Sequence, residues 1–91
     1  MSHVYHFYQM DIQVKIGERI KQLRTEKNLT QEAVAFKADV DRTYMNHVET
    51  GKRNISVATL EKIVCNGLET SFKDFFGTDL FENALKKRKK N

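Results

Sequence analysis

Apolar residues recur along the chain at helical spacing, in short runs separated by capping signals. Ile12, Ile16, Ile20 and Leu23 stand three or four apart with charged residues between them, which predicts a first helix from Asp11 to Lys27, with Asn28 as its stop. After Leu29, Thr30 can cap a second, short helix whose apolar face is Val34, Ala35 and Ala38, two of them small enough for another helix to come close. The pattern breaks at Asp39-Val40-Asp41 and restarts with Asp41 as N-cap of a third helix, Arg42 to Thr50, closed by Gly51 in the left-handed conformation. Ser56 caps a fourth helix marked by Val57, Leu60, Ile63 and Val64 and stopping near Asn66-Gly67, and Leu68 folds back onto the core. Thr70 or Ser71 caps a fifth, with Phe72, Phe75 and Phe76 on one side, and Phe81 and Leu85 continue the apolar signal. Strand signals are confined to the first ten residues, where Val4, Tyr5, Phe7 and Tyr8 fit a strand, an extension of the first helix or a disordered arm. The prediction is an all-α, five-helix domain over residues 11–85, preceded by a flexible N-terminal arm (1–10) and followed by a basic C-terminal tail (86–91).

Two short helices joined by a three-residue turn, the second opening with polar side chains, form a helix-turn-helix, and in its DNA-binding version the second helix enters the major groove. At 100° per residue, Met45 and Val48 fall on one side of the third helix with Tyr44 at the flank, while Thr43, Asn46, His47 and Thr50 fall on the other. The first face suits a core. The second, with Arg42, carries groups that hydrogen-bond bases or phosphates and includes no carboxylate to repel the DNA backbone.

Ninety-one residues make one small domain. With 31% charged residues, no run approaches the roughly 18 apolar residues of a membrane span. The opening Met1-Ser2-His3-Val4 has no basic segment of a secretory signal, so the chain is expected in the cytoplasm. One cysteine, Cys65, excludes an internal disulfide and a multi-cysteine zinc site, and His3 and His6 lack the further ligands of a metal centre. No glycine-rich phosphate loop, metal cluster or nucleophile with an adjacent base is present, which argues against an enzyme and calls for no cofactor or small-molecule ligand.

The net charge of +4 is unevenly placed. Lys86, Lys87, Arg88, Lys89 and Lys90 account for five of the positive charges and leave residues 1–85 with 11 basic against 12 acidic groups. Residues 1–54 balance at +2 and residues 55–85 at −3, so an anion would be bound by the first half, helped by the tail. The tail is equally well read as a solvated end.

The words Leu29-Thr30-Gln31-Glu32, Asp41-Arg42-Thr43-Tyr44-Met45, Val48-Glu49-Thr50-Gly51, Arg53-Asn54-Ile55-Ser56 and Leu60-Glu61-Lys62-Ile63 resemble the XRE family of phage-repressor-like and Cro-like regulators, over about residues 12–76. Asp41-Arg42-Thr43-Tyr44 followed by Arg53-Asn54-Ile55-Ser56 is particularly similar to the controller proteins of restriction-modification systems. The resemblance implies a dimeric, sequence-specific transcriptional regulator on a near-palindromic operator in double-stranded DNA. Base readers would be Arg42 and Thr43 with Asn46 and His47; backbone contacts would fall on Thr30, Gln31, Tyr44, Lys52, Arg53 and Asn54. It also implies a buried ion pair between Arg24 and Glu49. The wheel places Glu49 at the core edge, which agrees. Phe75, Phe76, Phe81 and Leu85 together exceed what a small core hides, so they are the dimer-interface candidates and some of them should bury against the partner. The alternative is an antitoxin-type XRE protein, whose aromatic arm binds a toxin while the domain represses its own operon. Two departures stand out: Asp39 occupies the turn position where relatives usually have glycine, and one additional residue lies between Leu60 and Leu68.

Overall fold

The computed structural model describes residues 11–82. It contains α1 (Ile12–Glu26), α2 (Gln31–Ala38), α3 (Arg42–Glu49), α4 (Val57–Glu61), which continues as a π-helical segment over Lys62–Gly67, α5 (Phe72–Phe76), and a 3-10 turn at Asp79–Phe81. The N-terminal arm, Leu85 and the basic tail lie outside the described residues.

Four helix starts are closed by the side chain before them. Thr30 Oγ1 accepts from the Ala33 amide at 3.0 Å, and one Asp41 oxygen accepts from Thr43 and Tyr44 at 2.8 and 3.2 Å. Ser56 and Ser71 accept from Thr59 and Asp74, each at 3.1 Å. Such caps are worth about 1 kcal/mol apiece. They matter here because α2, α3 and α5 are too short to be stable in isolation.

The turn between α2 and α3 is Asp39-Val40-Asp41. Asp39 adopts φ 59 and ψ 47, the left-handed conformation, and the Val40 amide closes the end of α2 by donating to Ala35 O at 3.0 Å. Aspartate therefore fills the glycine position without displacing the turn, since it tolerates this region better than most residues. Gly51 (φ 77) turns the chain after α3.

The surplus residue between Leu60 and Leu68 is absorbed by the π-helical segment. There the Leu68 amide donates to Ile63 O, five residues back, at 2.9 Å. A π turn holds one more residue than an α turn, and here it keeps Leu60, Ile63, Val64 and Leu68 all on the core side, each less than one-tenth exposed. The fourth helix thus runs as far as its sequence pattern indicates but changes its winding after Glu61.

The core joins Ile20 and Leu23 of α1, Val34, Ala35 and Ala38 of α2, Met45 and Val48 of α3, Leu60, Ile63, Val64 and Leu68, and Phe75 of α5. α1 packs directly on α3. Gly17 permits this approach: a Cβ there would stand 2.4 Å from Val48 O and 2.7 Å from Glu49 O, and backbone cannot yield as a flexible side chain can. Two residues further along α1, the Arg19 guanidinium donates to Phe75 O at 2.7 Å and Asp74 O at 2.8 Å, tying α5 to α1 through the terminal carbonyls of that short helix.

Phe75 corrects one assignment. It is 0% exposed within the single chain, so it belongs to the core and has no surface left for a partner. Its ring is the inner member of a cluster with Phe76 (4.9 Å between centroids) and Phe81 (5.9 Å). Phe76 remains 38% exposed, and Phe81 is half-buried. Among the described residues no helix is long and apolar enough to cross a membrane.

Candidate nucleic-acid interface

α3 is fixed from behind and free in front. Met45 and Val48 are buried to within 1%, whereas Arg42, Thr43 and Asn46 are exposed and His47 is half-exposed. The side chains of Arg42, Thr43 and His47 have no hydrogen bond, ion pair or ring contact among the described residues. Their donors and acceptors are therefore open to a ligand. Gln31, Arg42, Thr43 and Asn46 line a shallow concavity of about 250 Å³ between the start of α2 and the outer face of α3. Thr50, which shares that face by angle, is occupied: its hydroxyl is bonded back to Asn46 O and His47 O.

Behind this surface lies a polar network. Arg24 of α1 grips Glu49 of α3 with two parallel bonds, Nε to Oε2 at 2.6 Å and Nη2 to Oε1 at 3.0 Å, and its third nitrogen donates to Leu29 O at 2.8 Å. The side chains are 14% and 2% exposed. A bidentate guanidinium-carboxylate pair combines charge with a fixed geometry, so α1, the loop before α2, and α3 share one anchor. Gln31 joins it, donating from Nε2 to Glu49 Oε1 at 3.0 Å and accepting on Oε1 from Asn46 Nδ2 at 3.3 Å. The exposed Lys37–Glu69 pair makes a contrast. Its hydrogen bond, and secondarily the lysine charge, hold the Glu69 carboxyl below its ordinary value, but a solvated pair adds little to stability.

The candidate DNA-backbone residues stand in different conditions. Lys52, Arg53 and Asn54 are exposed in the loop that follows Gly51. Tyr44 is half-buried at the flank of α3, with the Arg53 guanidinium 5.2 Å from its ring centroid, which draws that loop toward the helix. The Thr30 oxygen serves as a cap and retains its hydroxyl proton for donation. Gln31 differs from the others, because both ends of its amide are engaged inside the protein. The periodicity of the sequence could not reveal that commitment. Nor could it reveal Gly17 and Arg19, whose roles depend on atoms 31 to 56 residues away. A lone glycine inside a helical pattern was the only signal for the first.

Comparison with known proteins places this arrangement. A helix-turn-helix family model (HTH_3) matches residues 20–66, from mid-α1 through the π-helical segment. The control protein C.MunI of a Mycoplasma species is 45% identical over 67 residues, covering 72% of this chain and 89% of that protein. The crystal structure of the restriction-modification controller protein C.AhdI from Aeromonas hydrophila superposes with a TM-score of 0.66 at 39% identity, over 70% of this chain and 96% of that one. The controller protein C.Esp1396I, solved as a tetramer in complex with its natural 35 base-pair operator, superposes with a TM-score of 0.71 at 39% identity, over 76% of this chain and 90% of that one. With its capped α2-turn-α3 unit, its anchored recognition face and these relatives, the chain belongs to the helix-turn-helix family of XRE regulators, alongside the control proteins of restriction-modification systems.

Proposed function

We propose that the protein is a sequence-specific DNA-binding regulator of transcription, the controller of a restriction-modification system, acting in the cytoplasm as a dimer on a near-palindromic operator. One observation carries the reading: the side chains of Arg42, Thr43 and His47 have no partner among the described residues and lie on the outer face of a helix whose inner face is locked into the core. A major-groove reader needs that combination, because side chains aimed at base edges gain specificity only when the helix beneath them is rigid. C.Esp1396I, 39% identical, occupies its 35 base-pair operator as a tetramer. Like its relatives, the chain is a regulator and not an enzyme.

In this reading Arg42 and Thr43, with Asn46 and His47, face the bases. Thr30, Tyr44, Lys52, Arg53 and Asn54 hold the phosphates on either side and set the register. A single short helix reads too few base pairs for useful affinity, so two copies are required. Phe76 and Phe81, with Leu85 beyond the described residues, supply the apolar surface for that pairing. Fluorescence anisotropy with duplex DNA from upstream of the protein's own gene, against a scrambled duplex at the same salt concentration, tests the proposal. The specific duplex should bind at least about a thousandfold more tightly. Equal affinity for the two would contradict it.

A further inference from the structure

We infer that Asn46 is an adenine reader whose amide is held in one orientation from inside the protein, by a hydrogen-bond relay that starts at the Arg24–Glu49 pair and passes through Gln31. The inference rests on the DNA-binding reading above and deepens it. Its origin is the Glu49 carboxylate, which when ionised beside a guanidinium only accepts hydrogen bonds. Oε2 receives Arg24 Nε, and Oε1 receives both Arg24 Nη2 and Gln31 Nε2. Gln31 must therefore turn its amino group inward. The reverse flip would set the Gln31 oxygen against a buried carboxylate oxygen.

With its amino group inward, Gln31 presents Oε1, an acceptor, to α3. Asn46 then has only one favourable orientation, with Nδ2 donating to that oxygen at 3.3 Å. A flipped Asn46 would again oppose oxygen to oxygen. The direction imposed by one charge is thus passed through two amides to the exposed surface. Two groups of Asn46 remain for a ligand: the Oδ1 acceptor and the second Nδ2 hydrogen.

The edges of the bases in the major groove decide which partner fits. Adenine offers an N6 donor beside an N7 acceptor and satisfies both groups. Guanine offers two acceptors, O6 and N7, so Oδ1 would face an oxygen. Thymine offers an acceptor and a methyl group. Cytosine offers a donor alone and leaves the Nδ2 hydrogen unused. A freely rotating asparagine would pay less to approach guanine, because it could turn its amino group to either acceptor. Gln31 is in this account a positioning residue, acting on the base through Asn46.

Selection from a library of randomised duplex DNA, carried out with the wild type, Asn46→Ala, Gln31→Leu and the double variant, tests the relay. The wild type should show a position in each half-site where adenine exceeds guanine by about tenfold or more. Asn46→Ala should flatten that position alone. Gln31→Leu should reduce the adenine-to-guanine ratio there to a few-fold while other positions keep their preferences, and the double variant should match Asn46→Ala. The ratio of two affinities does not depend on the fraction of protein folded, so loss of stability in Gln31→Leu cannot imitate the effect. An adenine preference that survives Asn46→Ala, an Asn46-dependent preference for guanine, or a Gln31→Leu variant with weaker binding but an unchanged ratio would each overturn the relay. A wild type that selects no sequence overturns the DNA-binding reading as well, which separates the two failures.

Discussion

Replacing Glu49 with alanine is expected to lower the unfolding free energy by on the order of 3–5 kcal/mol, a large part of what a domain of this size possesses. The substitution leaves the Arg24 guanidinium in a site where its side chain is only 14% exposed, with Leu29 O as its remaining acceptor. Gln31 Nε2 loses its acceptor in the same step. The cost is mainly that of stranded polar groups, not of the attraction itself. Arg24→Ala should therefore be as damaging, because the Glu49 side chain it abandons is 2% exposed, whereas replacing both partners with apolar residues of similar volume should recover part of the loss. Urea unfolding of the four proteins measures this. Single variants with wild-type midpoints would show that the pair does not anchor the recognition helix.

Arg42→Ala should do the opposite, leaving stability nearly unchanged and altering what is read. Arg42 opens α3, is exposed and has no partner among the described residues, so its removal breaks nothing within the fold. A guanidinium there can bond guanine O6 and N7 together, a contact worth about 1–3 kcal/mol of discrimination. The variant is expected to lose its preference at one base pair of each half-site by about 10- to 100-fold, with other positions intact. Binding titrations against operator variants check it. If Arg42 instead held a phosphate, affinity would fall by the same factor for every sequence, and the slope of log affinity against log salt would become shallower by about 0.9.

The two variants define a division of labour within one short helix. Residues at its inner edge, Met45, Val48 and Glu49, are fixed by burial and by α1. Those at its outer edge, Arg42, Thr43 and His47, have no side-chain partner among the described residues, whereas the buried pair reaches Asn46 through Gln31. In the proposed relay, the carboxylate that stabilises the scaffold also sets the polarity of a reading group.

Features that depend on neighbours in the chain were legible in the sequence. The caps at Thr30, Asp41 and Ser56 form, and of the two candidates Thr70 and Ser71 the second caps the fifth helix, since a side chain reaching an amide two or three residues ahead needs no tertiary context. The inward face of α3 was legible for a similar reason: the helical period alone separates Met45 and Val48 from Thr43 and Asn46. Between Leu60 and Leu68 the surplus residue was countable, but counting does not tell whether it forms a bulge, an extended loop or a π turn. The outcome is decided by the need to bury both Val64 and Leu68. In the phenylalanine cluster, residues 72, 75 and 76 lie on one side of a five-residue helix, so spacing could not distinguish the ring that enters the core from the ring at its rim. Phe75, a dimer-interface candidate by sequence, is buried within its own chain. The roles of Gly17 and Arg19 are not legible in the sequence, because each acts on backbone carbonyls that only the folded chain brings near.

Hydroxyl-radical footprinting on the DNA upstream of the protein's own gene tests the central claim most directly, because it reports where α3 lies and how many copies are present. Two protected patches on one face of the duplex are predicted, related by an approximate two-fold axis, with centres about 34 Å or a multiple of that distance apart. Protection spread evenly along the fragment, or a single isolated patch that never acquires a symmetric partner as the protein concentration rises, would contradict a paired, sequence-reading helix-turn-helix.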